Sequence, residues 1–386
     1  MSVYLDNAAS TGVHPEVVEA MLPYFREQFG NPSSHHTFGA SVHESVEAAR
    51  GTISSVVNAE PDELIFTSGG TEADHLAIVG ASLLAPANRR HIIVSAIEHQ
   101  AVLRAADQLS EFGFTVTLVN PDSQGIVQPE SIAIAIRPDT FLVSVMMVNN
   151  EVGTLQPLEK ISGVLKPRGI LFHSDAVQGF GKLPLDVRQL GVDLLSLSAH
   201  KIHGPKGIGA LFVREGVRLK PVLPGGGQEH GIRSGTENVP AIIGFAKAAE
   251  IANATLTRNL NRIRTLRDKL EAAVASSLPG AKLTTPSPNR TPYIANILFP
   301  MLDNAYLLNR LDAAGVYVTS GSACASHSLE PSHVLIAMGL SEDLARSSIR
   351  FSLSSFTTEE EINYTVQSLV GIVEPFVSQL AAESTV

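Results

Sequence analysis

From about Pro61 to Arg214 the chain repeats one pattern: a short apolar run rich in β-branched residues, then a longer stretch with apolar positions at helical spacing. The runs are ELIFT, HIIVSA, TVTLVN, TFLVSVMMV, GILFHSDA, DLLSLSA and GALFV. A run that is apolar along its whole length belongs to a strand covered on both faces, and the intervening helical stretches supply that cover. The pattern predicts an α/β fold with a mostly parallel sheet between helical layers. Several runs end in polar or glycine-rich segments, SGGTEAD, EHQAV and NNEVGT among them. Ligands of open α/β sheets bind beyond the carboxyl ends of the strands, so these segments are where chemistry is expected.

Past GGGQEHGIRSGTEN the rhythm changes. TRNLNRIRTLRDKLEAAV puts Leu260, Ile263, Leu270 and Val274 on one helical face, and reads as a helix leading into a second unit. That unit holds the strand-like ANILF and VYVTSGSAC. It ends in a helix opened by Thr357, with Glu360 three residues on as a capping box. Ile362, Val366, Leu369, Val373 and Leu380 form the stripe of that helix, and Pro375 predicts a kink. A chain of 386 residues exceeds what one hydrophobic core fills, so two domains are expected.

Composition narrows the function. Hydrophobic residues make up 44% of the chain against 17% charged, as in globular proteins. The formal net charge is −10 with no Lys/Arg-rich run, so nucleic acid is not an expected partner. No apolar run has the length of a membrane span, and MSVYLDNAAS lacks the basic and apolar regions of a signal peptide. A cytoplasmic protein acting on small molecules is the expectation. The single cysteine, Cys324, cannot form an internal disulfide, which fits a reducing compartment.

Among candidate chemical groups, Asp175 in FHSDAVQ and Lys201 in LSLSAHKIHGPKG each end an apolar run and can meet at the sheet edge. A lysine and a buried carboxylate so placed suit pyridoxal phosphate: the lysine for a Schiff base, the carboxylate for the pyridine nitrogen. Strand ends also carry solvated Asp and Lys, so this pair alone leaves both readings open. SGGTEADHLAI offers a turn and a helix start to a phosphate, or a plain helix cap. None of the 13 histidines falls in an H-E-x-x-H pattern and no C-x-x-C exists, so a metal site is not expected. No G-x-S-x-G elbow follows a strand. Cys324 sits in SGSACASHS, whose small polar residues suit an accessible thiol better than a packed one.

Together YLDNAAST, GNPSSHHTFG, TSGGTEAD, EHQAV, NNEVGTLQP, HSDAVQGFGK, SAHKIHGPKG, GGGQEHGIRSGTEN, SGSACASHSLEPSHVL and SIRFSLS resemble, in family order, the cysteine desulfurases of the class V aminotransferase group. The long cysteine loop is similar to the nitrogenase-associated and housekeeping iron–sulfur type. The resemblance implies pyridoxal-phosphate fold type I. Residues 14–257 would form a large domain with a mostly parallel seven-stranded sheet. Residues 1–13 and 258–386 would form a smaller α+β domain carrying the cysteine loop at about 320–332. It implies Lys201 as the Schiff-base lysine, Asp175 as partner of the pyridine nitrogen, Gln178 as donor to the ring's phenolic oxygen and His99 as stacked acid/base. Gly70, Thr71, Ser198 and His200 would hold the phosphate, with Thr236 from a neighbouring subunit of a homodimer. Asn150 and Arg350, helped by Asn7, would bind the carboxylate of L-cysteine. Cys324 would take the substrate sulfur as a persulfide, leaving L-alanine, and pass it to an acceptor such as an iron–sulfur scaffold or a tRNA-thiolation protein. His75, Ala325 and His327 depart from the family pattern, which bears on rate more than on reaction type. A pyridoxal-phosphate lyase or aminotransferase for another amino acid, a selenocysteine lyase included, would share most of this site. A non-catalytic sulfur-relay protein would not need it.

Overall fold

The computed structural model describes residues 1–286, 288–300, 302–321 and 331–383, with the backbone alone for 377–383. A short strand β1 (Val3–Tyr4) precedes seven strands that coincide with the seven apolar runs. These are β2 (Leu64–Thr67), β3 (His91–Ser95), β4 (Thr115–Val119), β5 (Thr140–Ser144), β6 (Leu171–Asp175), β7 (Leu194–Ser198) and β8 (Gly209–Val213). They form one sheet in the order β2-β8-β7-β6-β5-β3-β4, parallel from β7 to β4, with β8 antiparallel between β2 and β7.

The absence of alternation in the sequence is explained by burial on both faces. Successive side chains of a strand point to opposite sides. Phe66, Ile93, Val143, Leu195 and Phe212 join one apolar cluster with Val46, Ile53 and Phe245. Their neighbours Ile65, Ile92, Leu142, Leu194 and Leu211 join another with Leu76, Val102 and Leu109.

The linking helix begins earlier than its charged half suggests. It runs Val239–Ser277, 39 residues, a length of about 58 Å at 1.5 Å per residue. Its first part lies along the helix Thr37–Val56 and buries Ala241, Ile242, Phe245, Ala248 and Ala249 against the sheet. Small residues buried on several sides leave no clear amphipathic stripe there, so only the second part, with Ile263, Leu270 and Val274, shows one.

That second part packs over a smaller antiparallel sheet made of β9 (Lys282–Leu283), β10 (Ile294–Leu298) and, beyond the short strand β11 (Val316–Tyr317), β12 (Ser348–Ser352). Its order is β12-β10-β9. The chain start is drawn into this unit: β1 pairs in parallel with β11, and Val3 and Leu5 are buried among Phe351 and Ile362. The last helix spans Glu359–Glu383 and continues through Pro375. Its capping box is one residue later than the sequence pattern indicates. Glu361 N–H donates to Thr358 Oγ1 (3.2 Å) and Thr358 N–H donates to Glu361 Oε2 (2.7 Å). Thr357 Oγ1 is instead used by the Ser354 N–H. Among the described residues no helix is long and apolar enough to cross a membrane.

Gly209, at the start of β8, lets three backbone segments meet. A Cβ there would lie 2.5 Å from Leu197 O and 2.8 Å from the Gly69 backbone, and main chain cannot swing aside as a side chain would. Gly209→Ala is therefore expected to lower the urea midpoint, by the roughly 1–3 kcal/mol of an overpacked core. An unchanged midpoint would show that the Ser68–Gly70 turn is not tied to β8.

Candidate active site

A cavity of about 430 Å³ lies beyond the carboxyl ends of β5, β6 and β7, in the size range of small-molecule sites. Gly70, Thr71, His99, Asn150, Asp175, Gln178, Ser198, His200, Lys201 and Arg350 all line it. Parallel strand ends deliver most of them: Asp175 closes β6, Ser198 closes β7, and His99 and Asn150 follow shortly after β3 and β5.

Lys201 ends the short turn after β7, and its Nζ donates to the carbonyls of Ala8 and Ala9, each at 2.7 Å. Asp175 Oδ1 accepts from the Val177 N–H at 2.8 Å. Burial raises its carboxyl above the usual range, and the charges of His99 and Lys201 pull it back down. His173, two residues earlier on the same side of β6, has Ser144 Oγ at 2.8 Å and Ser196 Oγ at 3.0 Å. Burial pushes its pKa down to about 3, so this ring is neutral. His99 caps the helix Gln100–Gln108: its Nδ1 accepts from the Ala101 N–H at 3.1 Å, so in the neutral ring the hydrogen sits on Nε2. The pKa of His200 is pushed to about 4, by burial first and then by Lys201, Lys182 and Lys206, which leaves its imidazole neutral beside Ser10.

These residues fit pyridoxal phosphate. The buried Ser198 Oγ has no hydrogen-bond partner among the described residues, and it lies near the helix start at Gly70 and Thr71. The Gly70 backbone is tight against Val177, whose Cγ2 an added Cβ would approach to 2.9 Å. A phosphate finds donors there, with the lysine and the carboxylate Asp175 in the same cavity. Arg350, 1% exposed on β12, donates to Asp6 Oδ1 (2.8 Å), Asn150 O (2.8 Å) and Gly321 O (3.2 Å). Its buried Nε has no partner among the described residues, and a guanidinium N–H of this kind suits an anion.

Two expected residues are not brought into this group. Asn7 spends its amide on the carbonyls of Tyr4 and Ser352, and lines a separate cavity of about 40 Å³ behind Lys201. The backbone of its neighbours Ala8 and Ala9 reaches the main cavity instead. Thr236 is exposed and away from the cavity of its own chain. Cys324 lies outside the described residues, while Gly321, three positions before it, lines the cavity.

The sequence reading missed Asp74, Glu98, Glu151, Lys182 and His333. Asp74 and Glu98 are buried beside Asp175, and burial with the charge of Asp175 drives both carboxyls well up toward their protonated forms. Thr71 and Asp74 are three apart on one helix, which was the available signal for Asp74. His333 donates from Nε2 to Glu98 O at 3.0 Å and lines the cavity with Gln100.

The description aminotransferase class-V matches residues 3–365 of the chain. A protein named cysteine desulfurase IscS from Dictyoglomus turgidum is 45% identical over 96% of this chain and 94% of its own length. A cysteine desulfurase from a Nostoc species is 45% identical over 96% and 93%. Among solved structures, one described as a NifS-like protein superposes with a TM-score of 0.91 at 40% identity, covering 97% of this chain and all of that one. Another, described as SspA in complex with cysteine, gives 0.82 at 36% identity over 92% and 100%.

The buried Glu98 makes stability depend on pH. Its folded pKa is raised, so the folded state keeps a proton that the unfolded chain releases above its ordinary value near 4.3. Stability from this group is therefore full below that value and declines as pH rises toward the folded pKa. Glu98→Gln has no proton to lose. Its melting temperature relative to the wild type is expected to be higher at pH 8 than at pH 5, and a pH-independent difference would contradict the assignment.

Proposed function

Because the chain belongs to the aminotransferase class-V family, we propose that it is a pyridoxal-phosphate-dependent cysteine desulfurase, converting L-cysteine to L-alanine and passing the sulfur to Cys324. One observation carries this reading: Lys201, Asp175, His99 and Arg350 line a single cavity, and so does Gly321, from which the chain runs toward Cys324. Bound pyridoxal phosphate supplies an aldehyde for the substrate amine and a ring that accepts electrons from the carbon being altered.

Lys201 would hold the cofactor through Nζ, Asp175 would serve the ring nitrogen, and Gln178 would donate to the phenolic oxygen. Gly70, Thr71, Ser198 and His200 would take the phosphate, joined by Thr236 of a second copy in a homodimer. Arg350 and Asn150 orient the substrate carboxylate. His99 would move the proton through Nε2, since its Nδ1 accepts from the Ala101 N–H. The Cys324 thiolate attacks the substrate sulfur: the S–S bond forms, the Cβ–S bond breaks, and its electron pair stays on carbon. Protonation of that carbon completes L-alanine. The sulfur on Cys324 then goes to an acceptor protein, such as an iron–sulfur scaffold, in the cytoplasm. We assign residues 14–257 to the cofactor-binding domain and 1–13 with 258–386 to a smaller one, supported by the pairing of β1 with β11 and by the apolar cluster around β10 and β12.

Incubation with L-cysteine is expected to add one sulfur to the peptide containing Cys324, read by mass spectrometry, and to release alanine. Cys324→Ala should abolish both, and a keto acid in place of alanine would mean transamination instead. His99→Ala should lower the rate by about 10²–10⁴-fold, the usual worth of a general acid–base.

The dimer has its own test. Thr236→Ala and Lys201→Ala are each expected to be impaired, yet mixed dimers of the two contain one site with both residues intact. Recovery of activity on subunit mixing supports a shared site, and no recovery in proven hybrids overturns it.

A further inference from the structure

Lys182 belongs to no part of the mechanism above, yet it is a buried amine beside the cofactor cavity, 7% exposed. It lies four residues after Gln178 in a tight turn that brings the two side chains together. Gly181 between them has φ +64, and a Cβ there would meet Ile202 Cγ2 at 2.9 Å, so the turn is fixed by close packing. Among the described residues Lys182 has no carboxylate within ion-pair distance, and what surrounds Nζ is Gln178 Oε1 at 3.1 Å and the face of Tyr293 at 5.7 Å. Burial, then the charges of Lys201 and Arg350, push its pKa down to about 7. An amine kept in such surroundings is costly, and stability alone does not account for it.

What it touches supplies a reason. The Gln178 amide is clamped at both ends: Oε1 accepts from Lys182 Nζ, and Nε2 donates to Ala8 O at 2.8 Å. A carbonyl only accepts, so a flipped amide would face repulsion at Ala8, and the ammonium form of Lys182, which only donates, adds the same repulsion at the other end. With one Nε2 hydrogen used on Ala8, the other remains for the cavity that Gln178 lines. We propose that Lys182 is a positioning residue that fixes the Gln178 amide so that it presents an N–H, and not its oxygen, to the phenolic oxygen of the cofactor. This rests on the reading of Gln178 as that donor.

The test reads the visible absorbance of the bound cofactor against pH in the wild type and in Lys182→Met, Lys182→Gln, Gln178→Met and the double variant K182M/Q178M. Loss of a donor to the phenolic oxygen raises the midpoint. Lys182→Met and Gln178→Met are each expected to raise it by about one pH unit, a tenfold change in proton affinity. The double variant should shift no further than either single one, and Lys182→Gln, which keeps a donor for Oε1 without the charge, should stay near the wild type. Additive shifts, or a Lys182→Gln shift equal to that of Lys182→Met, would mean that Lys182 acts by its own charge, and would overturn the proposal. A normal midpoint in Lys182→Met with a shifted one in Gln178→Met would also overturn it. A normal midpoint in Gln178→Met would instead remove the reading of Gln178 on which the proposal rests. Lys182→Met removes a buried amine and is expected to melt no lower than the wild type, which separates positioning from a role in folding.

Discussion

The carbonyl oxygens of Ala8 and Ala9 accept three hydrogen bonds from side chains, two from Lys201 and one from Gln178. The residues around them do the same kind of work. Asp6 pairs with Arg350, Ser10 meets His200, and Thr11 is bonded to the backbone of His200 and His203. This strap from Asp6 to Thr11 reaches groups from β6, β7 and β12 at once, elements that are far apart in sequence. Its position is set by the docking of β1 on β11 and by the burial of Val3 and Leu5, so the chemistry depends on the chain start being folded in. Since main-chain groups hold the lysine, side-chain changes within the strap act on it through backbone displacement more than through lost contacts.

Beneath the cavity the question is how three carboxyls share one buried volume. Asp74, Asp175 and Glu98 all have raised pKa values, with burial as the largest cause in each. Only Asp175 also faces His99 and Lys201, whose charges favour its ionised form. Of the three, Asp175 is thereby the one that neighbouring positive charge favours in its ionised form, in a cavity that Asp74 also lines. His173, held neutral between Ser144 and Ser196, adds no competing charge. Charged groups facing one another in a medium of low dielectric interact strongly, so the carboxyl most favoured to ionise is the one suited to face a cationic ring nitrogen.

The sheet was legible in the sequence because six of the seven runs are buried almost throughout, where composition alone marks a strand, and the edge strand β4, with Leu118 exposed, is marked by its β-branched residues. The start of the helix Val239–Ser277 was not, since its Ala-rich part is buried on several sides and loses the amphipathic period. The capping box failed by one residue for a definite reason: Thr357 and Thr358 each have a glutamate three positions on, and the Ser354 N–H takes the first hydroxyl. At the site, side chains that end strands were read correctly as converging. Asn7 was not, because the strap contributes backbone where the sequence offers a side chain. Asp74 and Glu98 looked like ordinary polar positions of helix starts, and only the packing of those helices onto the sheet, the first on β7 and β8 and the second on β3, turns them inward.

Glu151 links the site to the cysteine-bearing segment. Gly321, with φ +101, lies so near that a Cβ would come within 2.8 Å of Glu151 Oε2, and the same oxygen accepts the Ser332 hydroxyl hydrogen. Arg350 donates to Gly321 O from the other side. The described residues that flank positions 322–330 therefore converge on one buried carboxyl at the cavity edge. Glycine is required at the first of them by both its dihedral angle and the carboxyl beside it. Arg350 thus joins the proposed substrate-carboxylate site to the point where the chain departs toward Cys324. The same guanidinium that bonds Gly321 O also bonds Asn150 O and Asp6 Oδ1, so β12, the chain start and the segment after β11 are tied at one point.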